Sequence, residues 1–432
     1  MNILFKNIKL IDTVGYENNI TVEQTVNLHI VAGIIKQISN ENITVDETVE
    51  VIDSSEFVAT AGFIDIHCHF REPGFTHKET LQTGANAAAN AGFTEVVVMP
   101  NTEPVIDNVI IVEHILNRTK NFPVTVYPSA AITKERKGES LTPMMELAEA
   151  GVIYFTDDGS CVSNAEVMKR AFEYSAPKDF LLAQHCEEHS LTKDFAMNES
   201  HISMKLGLKG YPRIAEEIII DRDIRLSEYL GNRRYHIQHL STSGAVDLVR
   251  AAKSRGLRVS CEVAPHHLWF DEEKINSYNP DFKMNPPLRT VNDISALIAG
   301  LRDGTIDCIA SDHAPHSDEE NEVEFENAPN GVIGLETQLG AILTLLYHKH
   351  KFELKEIINL FTVNPRKILG LKQVKIKEGE KANLTIFAPN EKWTVDKNKF
   401  LSKARNTPFD KMEFIGKPKY ILNNNQIFKS EL

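Results

Sequence analysis

Eight short, apolar, β-prone runs alternate with helical stretches through the middle of this 432-residue chain. That alternation restricts the fold more than any other feature. The runs lie at 57–66, 93–99, 123–128, 151–156, 180–184, 235–238, 257–263 and 306–310, and clear helical stretches occupy 83–91, 142–150 and 164–175. Strands separated by helices pair in parallel, and eight such units predict an α/β fold of the (β/α)8, TIM-like barrel type. Residues 1–55 and 372–432 read differently, as short strands and turns without long helical periodicity. They are expected to pair into a small β-sandwich domain built from both termini, leaving 56–371 as the barrel.

The first barrel run ends in Asp65-Ile66-His67-Cys68-His69-Phe70-Arg71-Glu72-Pro73-Gly74. Successive strand side chains point to opposite faces, so His67 and His69 share one face while Ile66 and Cys68 share the other. Two imidazoles so placed can aim at one cation, and imidazole nitrogen suits zinc and similar divalent metals. Other ligand-type residues recur at the ends of the predicted strands: Asn101, Asp157-Asp158, His185, His239 and Asp312-His313. In a (β/α)8 barrel the active site lies at the C-terminal ends of the strands. His67, His69, Asp158, His185, His239 and Asp312 can therefore hold two divalent cations with one carboxylate bridging. Such a pair acidifies a shared water and polarises a carbonyl, and a nearby carboxylate can act as general base and return the proton to a leaving nitrogen. Asp312 stands where that base would be needed. The chemistry is hydrolysis of an amide or imide, or its reverse.

The bulk properties narrow the partners. A formal charge of −13 argues against nucleic acid or an anionic membrane surface, while a local arginine still allows an anionic small substrate. No apolar run approaches the ~20 residues that span a bilayer, and the N-terminal apolar stretch is too short for a signal peptide. The five cysteines, at 68, 161, 186, 261 and 308, form no paired spacing and suit reduced thiols in a cytoplasmic protein.

Several motifs together resemble the dihydroorotases of the amidohydrolase superfamily, in the bacterial group with an aspartate where relatives carry a carbamylated lysine. They are His-Cys-His-Phe-Arg-Glu-Pro-Gly at 67–74, Val-Met-Pro-Asn-Thr-Glu-Pro at 98–104, Thr-Asp-Asp-Gly at 156–159 and Gln-His-Cys-Glu-Glu at 184–188. Further on come Gln-His-Leu-Ser-Thr at 238–242, Glu-Val-Ala-Pro-His-His-Leu at 262–268, Lys-Met-Asn-Pro-Pro-Leu-Arg at 283–289 and Ala-Ser-Asp-His-Ala-Pro-His at 310–316. The resemblance implies reversible cyclisation of N-carbamoyl-L-aspartate to L-dihydroorotate in pyrimidine synthesis, with one or two Zn2+ per subunit. It implies His67, His69 and Asp312 on one metal, His185 and His239 on the other, and Asp158 rather than Asp157 as the bridge. Implied substrate contacts are Arg71, Asn101, Asn285, His316, Asn330 and Gly331. Arg71 has its own rationale, since a guanidinium fork reads a carboxylate through two hydrogen bonds.

The chain departs from the family pattern at Glu72, where Asp is common, and at Asn330-Gly331, where Phe-Gly is common. His266, His267 and His313 are expected to pack or to support ligands, the cysteines to fill core space, and acidic residues 318–326 to form a solvated loop. Rival readings are another cyclic amidohydrolase, such as an allantoinase or dihydropyrimidinase, or a non-catalytic partner of aspartate transcarbamoylase. An active homodimer and a complex with that transcarbamoylase are both compatible with the sequence.

Overall fold

The computed structural model describes residues 2–14 and 22–432. Its parallel strands run in chain order: Phe63–Cys68, Phe93–Val98, Thr125–Pro128, Phe155–Thr156, Leu182–Gln184, Tyr235–Ile237, Val259–Val263 and Cys308–Ile309. The first three pair as one sheet and the last five as another. Isolated parallel bridges connect the two sheets, Ala130 with Phe155 on one side and Cys68 with His313 on the other. All six residues of Phe63–Cys68 and of Phe93–Val98 are buried, as expected when a parallel sheet is covered on both faces.

The crossover helices begin at side-chain caps that satisfy their free N–H groups. Thr80 caps Leu81–Asn90, Asn108 caps Val109–Thr119, and Thr242 caps Ser243–Ser254. These helices turn apolar faces inward, so Val112 and Ile115, Val246 and Val249 join the strand residues in one continuous core.

Strands from both ends of the chain form a mixed sheet in the order Gln426–Lys429, Glu413–Asn423, Leu384–Thr394, Val58–Ala61, Asn2–Asp12, Val22–Val31 and Ile34–Ser39, with Glu50–Asp53 alongside Asn2–Asp12. The described strands are hydrogen-bonded into this single sheet, where the sequence reading has a sandwich. The expected strand over 57–66 is two strands. Val58–Ala61 pairs antiparallel with Leu384–Thr394 in the terminal sheet, and Phe63–Cys68 opens the parallel set. Gly62 is the break: its N–H donates to Asn383 O at 2.9 Å, and a β-carbon there would collide with the Asn383 and Thr94 side chains. The expected strand over 151–156 is also shorter, since only Phe155 and Thr156 pair. All five cysteines are buried and free. Among the described residues no helix is long and apolar enough to cross a membrane.

Candidate metal centre

The first parallel strand delivers His67, and His69 follows one residue beyond its end, so strand alternation turns both rings the same way. His67 is fully buried; its Nδ1–H donates to Glu262 Oε1 at 2.6 Å. An ionised carboxylate can only accept, so Nδ1 carries the proton of this bond and Nε2 is the nitrogen turned toward the cluster. That Nε2 faces Asp158 Oδ1 at 3.4 Å and Asp312 Oδ1 at 3.5 Å. His69 repeats the pattern. Its Nδ1–H donates to Asn101 Oδ1 at 2.8 Å, and its Nε2 lies 3.1 Å from Asp312 Oδ1 and 3.5 Å from Asp158 Oδ2. His185 is turned end for end: Nε2–H donates to Glu187 Oε2 at 2.9 Å, leaving Nδ1 2.9 Å from His239 Nε2 and 3.9 Å from Asp158 Oδ1. His239 Nε2 is 3.6 Å from the same oxygen.

Three histidines are thus held by acceptors on their outer nitrogens, and the inner nitrogens converge on two carboxylates. Orienting partners of this kind are the usual supports of metal-binding imidazoles. Ligand atoms of His67, Asp158 and His239 lie within 4.8 Å of one another, as do those of His67, His69 and Asp312. His67 Nε2 and Asp158 Oδ1 are buried without a hydrogen-bond partner, a costly state for polar atoms that a cation between them would relieve. The donor set, imidazole nitrogen and carboxylate oxygen, fits a divalent ion such as zinc.

The electrostatics are those of an ion-paired cluster, in which Asp158 and Glu262 raise His67 despite its burial. Burial opposes ionisation of Asp158 and Asp312, but the surrounding imidazoles outweigh it and hold both carboxyls well below the usual range. Glu262 follows the same balance: burial raises it, while His67 and His236 bring it down to about 2. His266, buried beside the cluster, is pushed down to about 4 by desolvation and stays neutral. The backbone is strained where the ligand candidates emerge. Arg71, His239 and Asp312 have φ of 58°, 32° and 45°, left-handed values that non-glycine residues adopt at a cost and that concentrate at functional sites.

A cavity of about 300 Å³ opens on the cluster and is lined by Arg71, Asn101, Asn285, His316, Asn330 and Gly331 together with most of the cluster residues. It is of a size for a small cyclic substrate. Arg71 Nε donates to Pro315 O at 3.2 Å, and His316 Nε2–H donates to Asn330 O at 3.1 Å. Asn285 Nδ2 donates to Glu187 Oε2 at 2.8 Å, so Glu187 touches His185 and a cavity-lining amide at once. Asp157 is turned away. Its carboxylate accepts from Thr133 N at 2.9 Å and from the Thr133 hydroxyl, and burial pushes it up to about 6. His267 donates from Nε2 to Pro286 O at 2.9 Å, and His313 packs on Glu79. The acidic stretch contains the helix Asp318–Asn321, tied back through Lys78–Glu320 at 2.7 Å.

Sequence reasoning missed Glu262, Glu187 and Arg136. The first two had a legible signal, a carboxylate within or just after an apolar strand. Arg136 had none; its guanidinium donates to Asp158 O at 2.8 Å from a turn where Glu135 and Arg136 both have positive φ.

A family model described as dihydro-orotase-like matches residues 57–245. A protein named dihydroorotase from Thermoanaerobacter sp. (strain X514) is 44% identical over 417 residues, covering 96% of this chain and 94% of its own length. A second, from Geotalea daltonii, is 42% identical over 99% of both chains. Among solved structures, the L-hydantoinase (dihydropyrimidinase) of Arthrobacter aurescens superposes with a TM-score of 0.85 at 21% identity, over 100% of this chain and 96% of that one. The dihydropyrimidinase of Brevibacillus agri NCHU1002 gives 0.82 at 18%, over 100% and 95%. At such identities the structural likeness speaks for the fold alone.

Proposed function

The chain belongs to the dihydroorotase family of amidohydrolases, and we propose that the cluster of His67, His69, Asp158, His185, His239 and Asp312 is its catalytic centre. Dihydroorotases are metal-dependent cyclic amidohydrolases of pyrimidine biosynthesis, and the reaction is the interconversion of N-carbamoyl-L-aspartate and L-dihydroorotate. On this reading the eight parallel strands and their helices form a (β/α)8 barrel joined by the two isolated bridges, with the cluster at the strands' C-terminal ends.

His67, His69 and Asp312 would hold one divalent ion, zinc by donor chemistry, and His185 and His239 a second, with Asp158 between them. Such ions polarise the ring carbonyl and make water more acidic. The remaining steps fall to the protein's own groups. In the hydrolytic direction water oxygen bonds to the ring carbonyl carbon while the Asp312 carboxylate takes its proton. The carbon–nitrogen bond then breaks, and Asp312 delivers that proton to the departing ring nitrogen. Arg71 pairs with the substrate carboxylate, while Asn101, Asn285 and the 330–331 backbone fix the ring. Glu262, Asn101 and Glu187 keep the imidazoles turned inward.

The observation that carries the assignment is the convergence of the inner imidazole nitrogens on Asp158 and Asp312, with Arg71 lining the same cavity. Zinc-loaded protein assayed side by side on L-dihydroorotate, hydantoin and allantoin tests it. Turnover of dihydroorotate at least about a hundredfold above the others is expected, because a guanidinium desolvated by the bound ring and left without its carboxylate costs on the order of 3 kcal/mol. Preference for hydantoin or allantoin would overturn the reading.

A further inference from the structure

The cavity wall that carries Arg71, His316 and Asn330-Gly331 is not self-supporting. Arg71 Nε donates to the carbonyl of Pro315, so the direction of its guanidinium depends on the Pro315–His316 peptide group. The other end of that same peptide, the His316 N–H, donates to Asn406 Oδ1 at 3.3 Å. Asn406 Nδ2 donates to Ala314 O at 3.2 Å and to Gly331 O at 2.9 Å, and its own carbonyl accepts from Ile333 N at 2.9 Å. One buried side chain from the segment between strands Leu384–Thr394 and Glu413–Asn423 therefore spans both loops of the wall. The loops also touch directly: a β-carbon on Gly331, whose φ is 131°, would come 2.7 Å from the Ala314 β-carbon. An amide suits this place. Its nitrogen faces two carbonyls and needs two N–H bonds, while its oxygen faces an N–H, a pattern no carboxylate or hydroxyl reproduces.

We propose that Asn406 is a specificity-determining positioning residue: by clamping the peptide group that orients Arg71, it sets how well the site reads a substrate carboxylate. It does not line the cavity, so it acts through Arg71 and the 330–331 backbone. The inference rests on the assignment of Arg71 to the substrate carboxylate, and it gives the terminal region a part in substrate choice.

Asn406→Asp keeps the volume but turns an anionic oxygen toward two carbonyls, and Asn406→Ser is too short to span them. Both would be compared with the parent and with Arg71→Met. In the two Asn406 variants KM for L-dihydroorotate is expected to rise about tenfold, the scale of one weakened hydrogen bond to a charged group. The kcat should stay within about threefold, and bound zinc should be unchanged. Turnover of dihydrouracil, which lacks the carboxylate but keeps the ring that the 330–331 backbone holds, should fall by less than about threefold, and Arg71→Met should show the same selectivity change at larger size. Equal losses on both substrates, or a fall in melting temperature with unchanged selectivity, would make Asn406 purely structural and overturn the inference. A parent protein that does not turn over dihydroorotate would instead refute the catalytic assignment, so the two failures are distinct.

Discussion

Asp157 and Asp158 are neighbours in sequence with opposite surroundings. Asp158 sits among four imidazoles that keep it ionised, while Asp157 is tied to Thr133 and raised toward neutrality by burial. Asp158→Asn removes an anion that the cluster needs and should lower kcat/KM at least about a hundredfold, with loss of bound metal. Asp157→Asn keeps an acceptor for Thr133 N and should cost less than about tenfold. Steady-state assays with metal analysis on both variants check this, and the reverse order would place the anion of the cluster on Asp157. Residues at strand ends were legible because strand periodicity and barrel topology say where such side chains point. Those supporting them were less so. Glu262 reaches His67 from a strand far along the chain, a pairing fixed by tertiary packing and not by local pattern. Arg136 depends on left-handed backbone at Glu135 and at Arg136 itself, two residue types that give no sign of it, although Gly138 follows in the same turn.

At the level of elements, the helical stretches expected over 83–91, 142–150 and 164–175 appear as Leu81–Asn90, Met144–Glu149 and Ala165–Ser175, because helical periodicity persists over two or more turns. Strand limits were less legible, because an apolar run records burial and not which sheet the backbone joins. The run over 57–66 shows this: Ala59 and Thr60 bond with Ile386 and Thr385 in the terminal sheet, whereas Ile64 and Asp65 bond with Glu95 and Val96. Gly62 is the switch, packed so closely on Asn383 and Thr94 that a methyl group requires both to move. Gly62→Ala should destabilise the protein by about 1–3 kcal/mol, the usual cost of overpacking. Because Phe63–Cys68 carries His67, the same change should weaken metal retention. Denaturant unfolding and a chelator-competition series measure the two effects, and an unchanged midpoint would mean the junction has slack that its contacts do not suggest.

Across the whole molecule, Glu336 joins three distant parts of the chain. From the start of helix Leu335–Ile342 its carboxylate accepts from Asn90 Nδ2 at 2.7 Å, Leu401 N at 2.8 Å and Ser402 N at 3.2 Å. Residues 401 and 402 belong to the segment that carries Asn406, so this junction also anchors the cavity wall. Burial pushes Glu336 up to about 7, despite the three donors. An unfolded glutamate titrates near 4.3. Between about pH 4.5 and 7 the folded chain therefore holds a proton that the unfolded chain has released, and stability falls as pH rises through that window. Above about pH 7 both states are ionised and the loss is complete, on the order of 3 kcal/mol. Glu336→Gln cannot ionise and keeps an acceptor for Asn90 and Leu401, so it should escape this loss. Its melting temperature relative to the parent is expected to climb by a few degrees from pH 5 to pH 8, read by scanning calorimetry at constant ionic strength. A difference that stays flat across that range would mean the three donors keep Glu336 ionised throughout, and that burial does not set the proton's place at this junction.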